Sequence, residues 1–190
     1  MRAALVLLAF AGGCSSDDTA PLNRCPFGDP AAPAQIEIIH LDAQSAMVDS
    51  TAGAQIPLGI PPQGGWAVLL GVRATNLDGC QMNLTTSFRD VSSPSVLKID
   101  SRPSQPLVNQ GDGWGVTPLA DFSNLQLCPA PVAQRNLYNE TYRFTVTVDD
   151  IDGKTASQDI ELVPTCPADD PRCACECDQD YVVGAACPTP

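Results

Sequence analysis

From Ala34 onward, apolar and polar residues alternate with period two in several short runs, the pattern of strands that bury one face. Gln35 to Leu41 makes one such run, with Ile36 and Ile38 on one face and Ile39 and Leu41 on the other. Trp66 to Thr75 is the strongest apolar run, and Val68, Leu70, Val72 and Ala74 share a face. Asn76-Leu77-Asp78-Gly79 then supplies turn chemistry. Met82, Leu84, Thr86 and Phe88 alternate beyond it, which predicts a hairpin between these two strands. Val96 to Ile99 predicts a short strand, Gly111 to Gly115 a loop, and Leu119 to Leu127 a further strand. The clearest run sets Tyr142, Phe144, Val146 and Val148 against Arg143, Thr145 and Thr147; Asp149 to Gly153 turns it and Ala156 to Val163 returns. No convincing helical period is present, so helices beyond the first residues are expected to be short or absent.

Many short strands with Pro/Gly turns predict an all-β fold, an antiparallel β-sandwich. The stretch Y-R-F-T-V-T-V-D-D-I-D-G-K-T-A-S-Q-D-I-E-L-V, from Tyr142 to Val163, resembles the last hairpin of bacterial immunoglobulin-like domains of the cadherin-like and polycystic-kidney-disease type. The resemblance implies an immunoglobulin-like sandwich over residues 34–164, with Tyr142 at the corner position where such folds bond a tyrosine back to backbone. It implies no activity.

Composition narrows the setting. Hydrophobic residues are 44% of the 190 and charged residues 17%, enough apolar material for a packed core. Asp and Glu number 22 against 10 Lys and Arg, net −12, which argues against nucleic acid and against an electrostatic grip on anionic lipid. The single histidine, His40, excludes a multi-histidine metal site or a catalytic histidine pair. Nine cysteines and 18 prolines point to a loop-rich, cross-linked, non-cytosolic protein.

The chain opens M-R-A-A-L-V-L-L-A-F-A-G-G-C: a basic residue, an apolar run too short to span a bilayer, then small residues. Ala9-Phe10-Ala11 has the A-x-A form of ordinary cleavage. Gly12-Gly13-Cys14 resembles the end of a bacterial lipobox, although Ala11 stands where an aliphatic residue is usual. Cysteine parity favours the lipobox. Acylation of Cys14 leaves Cys25, Cys80, Cys128, Cys166, Cys173, Cys175, Cys177 and Cys187, an even set that can close four bridges. The expected organisation is a lipoprotein signal peptide over 1–13, a lipidated Cys14 heading a flexible tether over 14–33, the sandwich over 34–164 and a disulfide-bonded tail over 165–190. Ser15 after the cysteine favours the outer membrane under the enterobacterial sorting rule.

The tail is too small to bury a core of its own, so cross-links are expected to hold it. C-x-C-x3-Y-x2-G-x2-C, from Cys175 to Cys187, resembles the C-terminal half of an epidermal-growth-factor-like module, and that resemblance implies a Cys177–Cys187 bridge with Cys175 paired upstream. A rival reading has C-x-C-x-C presenting sulfurs to zinc, but zinc fingers favour C-x2-C spacing and no histidine is near. Within the sandwich, Cys80 is expected to pair with Cys128, leaving Cys25 to join the tail.

Candidate sites are few. Asp149, Asp150 and Asp152 crowd a turn and could offer oxygens to calcium, but a full calcium-loop pattern is missing and an ordinary Asp-Gly hairpin turn is the favoured reading. Trp114 among glycines could stack a sugar ring or plug one end of the core; Trp66 and Tyr138 are weaker candidates. His40 lies near Glu37 and Asp42, but no G-x-S-x-G accompanies it, and a strand histidine facing solvent or bonded to backbone is the expected role. No cofactor is expected. The leading function is a non-catalytic interaction module of the envelope, held to the membrane by lipid and meeting an envelope protein or a glycan. The alternatives are a purely structural envelope lipoprotein or a small carboxylate-dependent hydrolase.

Overall fold

The computed structural model describes residues 23–129 and 137–188. The expected signal peptide, Cys14 and the first part of the tether lie outside the described residues. In chain order the strands are β1 (Pro26–Phe27), β2 (Gln35–Leu41), β3 (Met47–Asp49), β4 (Gln55–Pro57), β5 (Trp66–Thr75), β6 (Leu77–Asp78), β7 (Met82–Asp90), β8 (Val96–Gln105), β9 (Val108–Asn109), β10 (Gly115–Val116), β11 (Ser123–Cys128), β12 (Tyr142–Asp149) and β13 (Thr155–Thr165). A single helical turn spans Leu119–Asp121, and α1 covers Pro171–Glu176. The protein is mostly β, as the period-two pattern predicts.

Two large sheets carry the structure. One has the order β3-β2-β5-β10-β9, with β11 also paired to β5. The other has the order β4-β13-β12-β7-β8. The β4–β13 pair is parallel and the other strand pairs of these sheets are antiparallel. Alternation on β12 is complete: Tyr142, Phe144, Val146 and Val148 are buried and the residues between them are not. They share one core with Val68, Leu70 and Val72 of β5, Leu84 and Phe88 of β7, Leu125 and Leu127 of β11 and Leu162 of β13. Each such side chain contributes roughly 1.5–3 kcal/mol by leaving water. Phe88 stacks with Phe144 at 5.4 Å between centroids and meets Tyr142 edge-on at the same distance.

The expected β5–β7 hairpin does not form. Both strands bury residues in the same core from opposite sheets, and β7 pairs with β12 and β8 instead. The Asn76–Gly79 turn is the crossover, and its Leu77–Asp78 pairs with β1. The Tyr142 hydroxyl donates to the Glu140 carboxylate at 3.4 Å. The tether reading needs correction over residues 23–33. Phe27 is buried in the core against Gly79, where a Cβ would stand 2.3 Å from the ring, so the body of the protein begins before Ala34.

All eight cysteines after Cys14 are paired: Cys25–Cys80, Cys128–Cys177, Cys166–Cys173 and Cys175–Cys187. The expected Cys80–Cys128 bridge is ruled out by β5. Cys128 pairs with Trp66 at the start of that strand, Cys80 lies just past its end, and ten extended residues place these roughly 30 Å apart. Cys25 therefore pairs with Cys80, brought close by β1–β6 pairing, rather than with the tail. The implied Cys177–Cys187 bridge is also replaced. Cys173 on α1 and Cys177 at its C-cap, four residues apart, are both buried in the core, while Cys175 between them pairs with Cys187. The tail is accordingly no separate module. Cys173 and Cys177 belong to the main core, and Trp66 Nε1 donates to the Glu176 carboxylate at 2.8 Å.

Candidate interaction groove

The two ends of the structure differ in chemistry. At one end, the incoming chain at Arg24 meets the Asn76–Cys80 crossover and the β12–β13 turn. Asp78 Oδ1 accepts from the N–H groups of Cys80 at 3.0 Å and Cys25 at 3.2 Å, and Arg24 stands at 3.4 Å from Oδ2. Burial pushes the Asp78 carboxyl up, but those three donors outweigh it and hold it below the ordinary carboxylate value. Asp150 closes the turn. Its Oδ1 accepts from the N–H of Asp152 and of Lys154, and its Oδ2 from the buried N–H of Asp78 at 3.0 Å. Lys154 Nζ donates to the carbonyls of Pro30, Ala32 and Asn76.

This arrangement decides how the acidic turn is used. Asp152 pairs with Arg24, and Asp149 accepts from the Thr155 hydroxyl. Each of the three candidate calcium ligands therefore has a protein donor, and the turn works as a clasp between the N-terminal arm and the hairpin. Trp114 is half-buried, with the Arg73 guanidinium 5.3 Å from its ring centroid. Arg73 is in turn held by Glu37 at 2.8 Å and Asp112 at 3.4 Å. One face of the indole is thus covered. Trp66 is buried beneath α1, and Tyr138 packs partly buried against the core.

The opposite end carries a groove. It runs between the β2–β3 turn, the Pro57–Gly59 segment and Pro167–Asp169, with a volume of about 390 Å³. A second hollow of about 480 Å³ adjoins it, sharing Asp42, Ala43, Pro57, Pro167 and Ala168 and reaching His40 and Asn139. The walls are built locally. Asp42 Oδ1 accepts from the N–H of Gln44 and of Ala46, both at 2.9 Å, and this fixes the turn. Gly59 lets its segment run close to β5, since a Cβ there would meet Leu69 at 2.8 Å. The Cys166–Cys173 bridge closes the loop that carries Pro167–Asp169. The charged lining residues of the first hollow are Asp42 and Asp169, both acidic, beside apolar Leu41, Leu58 and Leu69.

His40 lies at the edge of this region. It is buried, and its Nδ1 is 2.9 Å from Ser50 Oγ, so its partner is a side-chain hydroxyl rather than solvent or backbone. Burial lowers the imidazole below its ordinary value, against a smaller upward pull from Asp42. Sequence reasoning missed the groove, because its walls come from four segments far apart in the chain. It also missed Asp78 and Lys154, whose only local signal is the turn composition around them. Among the described residues no helix is long and apolar enough to cross a membrane. No family model matches the chain, and no curated protein matches it.

Proposed function

We propose that this chain is an envelope lipoprotein, anchored through acylated Cys14, that displays an immunoglobulin-like sandwich as a non-catalytic interaction module. The observation that carries the reading is the cysteine balance. Eight of nine cysteines pair among themselves, and Cys14, directly behind the short apolar run, is the one left for another chemistry. The sheet order also supports it: β4-β13-β12-β7-β8 facing β2-β5-β11 follows the strand arrangement of immunoglobulin-type sandwiches.

Polarity along the molecule gives the mechanism. The N-terminal arm enters at the Asp78–Asp150 end, and the groove lies toward the other end, roughly 20 Å away along β5 from Thr75 to Leu69. An anchored molecule holds the groove away from the bilayer. Multiple acyl chains make attachment durable without any basic patch, so an acidic body can stand beside anionic lipid. The groove, acidic and partly apolar, fits a basic or neutral segment of an envelope protein.

A site-specific photo-crosslinker at Ala43, in intact cells, tests the reading. It is expected to yield one dominant protein adduct that is absent when the probe sits at Ser157 on the outer face of β13. Cys14→Ser is expected to move the protein from the membrane to the soluble fraction. Equal labelling from both positions would instead favour a purely structural lipoprotein.

A further inference from the structure

The carboxylates of the molecule fall into two sets. Away from the groove many face protein cations: Asp78 and Asp152 meet Arg24, and Glu37 and Asp112 meet Arg73. In the groove the pattern breaks. Asp42 and Asp169 stand in its walls, and among the described residues neither forms an ion pair. Arg172, close to Asp169 in the chain, is held by Asp170 through Nε at 3.1 Å and a terminal guanidinium nitrogen at 2.7 Å. Asp42 Oδ1 is occupied by the turn, which leaves Oδ2 for an outside partner.

Apolar surface surrounds these two charges. Leu41 and Leu69 line the groove and are only partly buried. Met47 stands opposite Leu41 on the β2–β3 pair, so both side chains share a face, and Met47 is 50% exposed. Ile60, next to the Gly59 wall, is 53% exposed. A hollow of about 390 Å³ bordered by uncovered apolar side chains and two unpaired carboxylates has the make-up of a docking surface.

We propose that this groove binds a polypeptide segment that carries an apolar side chain flanked by Lys or Arg. The inference rests on the interaction-module reading and narrows its partner to a basic one. Charge complementarity selects the occupant. A second copy of the chain, with net charge −12, brings like charge to the groove. Calcium wants six to eight oxygens, and Asp42 has one of its two already committed. An ammonium or guanidinium needs one carboxylate oxygen, and its aliphatic stem covers surface such as Leu41 and Met47. The net charge steers a basic segment toward the body, and the groove fixes where it docks.

The test uses the purified full chain with its bridges closed and fluorescein-tagged peptides of sequence Gly-Ser-Lys-Leu-Lys-Ser-Gly, followed by anisotropy at low salt. This peptide is expected to bind, and its counterparts with Glu in place of Lys, or Ser in place of Leu, are not. Combining Asp42→Asn with Asp169→Asn is expected to weaken binding at least about fivefold, two exposed ion pairs' worth. Asparagine keeps an Oδ1 acceptor for the turn, so the variant removes charge and leaves the wall in place. Met47→Ser is expected to weaken binding as well. Combining Asp149→Asn with Asp180→Asn removes the same net charge outside the groove and is expected to leave affinity unchanged. The proposal is overturned if the Lys peptide does not bind, if the Glu peptide binds equally, or if both double variants behave alike. Such a failure with the Ala43 photo-adduct still formed leaves the groove a partner of other chemistry. A bound Lys peptide without that adduct in cells supports this proposal and removes the envelope-protein reading.

Discussion

Asp150 shows how a residue chosen for a ligand role can be fully used by its own backbone. Its two oxygens accept from three N–H groups on two segments, and one of those donors, Asp78 N, is buried. Asp150→Ala is therefore expected to cost about 2–3 kcal/mol in urea unfolding, and millimolar calcium is expected to leave the melting temperature of the native protein unchanged. A calcium-dependent rise would return the turn to the list of metal sites. His40 carries a pH signature. Its folded value is depressed by burial, so its contribution to stability is complete above the unfolded value of about 6.5 and is lost as pH falls through the lower folded value. The melting temperature is expected to fall as pH drops below about 6.5, and His40→Gln, which keeps a polar partner for Ser50, is expected to flatten that slope. Asp78 has the same sign at lower pH: its stabilisation is complete above about 3.9 and disappears as pH drops through its depressed value.

At the scale of elements, the strands with strict alternation were legible and their partners were not. Gln35–Leu41 and Trp66–Thr75 match the sequence pattern, and the Tyr142 hairpin extends it by one or two residues at its ends. Alternation reports which face is buried but is silent on which strand lies alongside, and this is why the pattern predicts a β5–β7 hairpin although the two strands face each other across the core. β8 runs on through Gln105, past the predicted end at Ile99, because its edge position tolerates Pro103 and exposed polar residues that erase the pattern. β3 and β4 carry too few residues to show a period. The arm at Pro26–Phe27 is hidden for another reason: its composition is that of a linker, and what holds it is distant in sequence, from the Phe27 ring and the Cys25 bridge to the pairing with β6 and the contacts of Arg24 and Lys154. Phe27→Ala is expected to lower stability by about 3 kcal/mol and to speed tryptic cleavage after Arg24, with the Cys25–Cys80 bridge still closed. An unchanged cleavage rate would mean that the bridge and the polar contacts dock the arm without the Phe27 ring.

On the scale of the whole molecule, the count of cysteines was informative and their connectivity was not. Pairing depends on which strand ends share a pole, and that is a property of topology: β5 separates Cys80 from Cys128, while α1 orients Cys173 and Cys177 inward and Cys175 outward. The groove was illegible for the same reason, since Asp42, Gly59 and Pro167 meet only after the sheets assemble. What links the two poles is a rigid, cross-linked body with an arm at one end and a recess at the other. The proposed anchor of this body is Cys14, and intact mass spectrometry of the membrane-extracted protein tests it most directly. The account predicts a chain that begins at Cys14, carries the added mass of a diacylglyceryl group and gains eight hydrogens on reduction, from four bridges. A product without acyl mass, or one whose cysteines alkylate before any reductant is added, would contradict it.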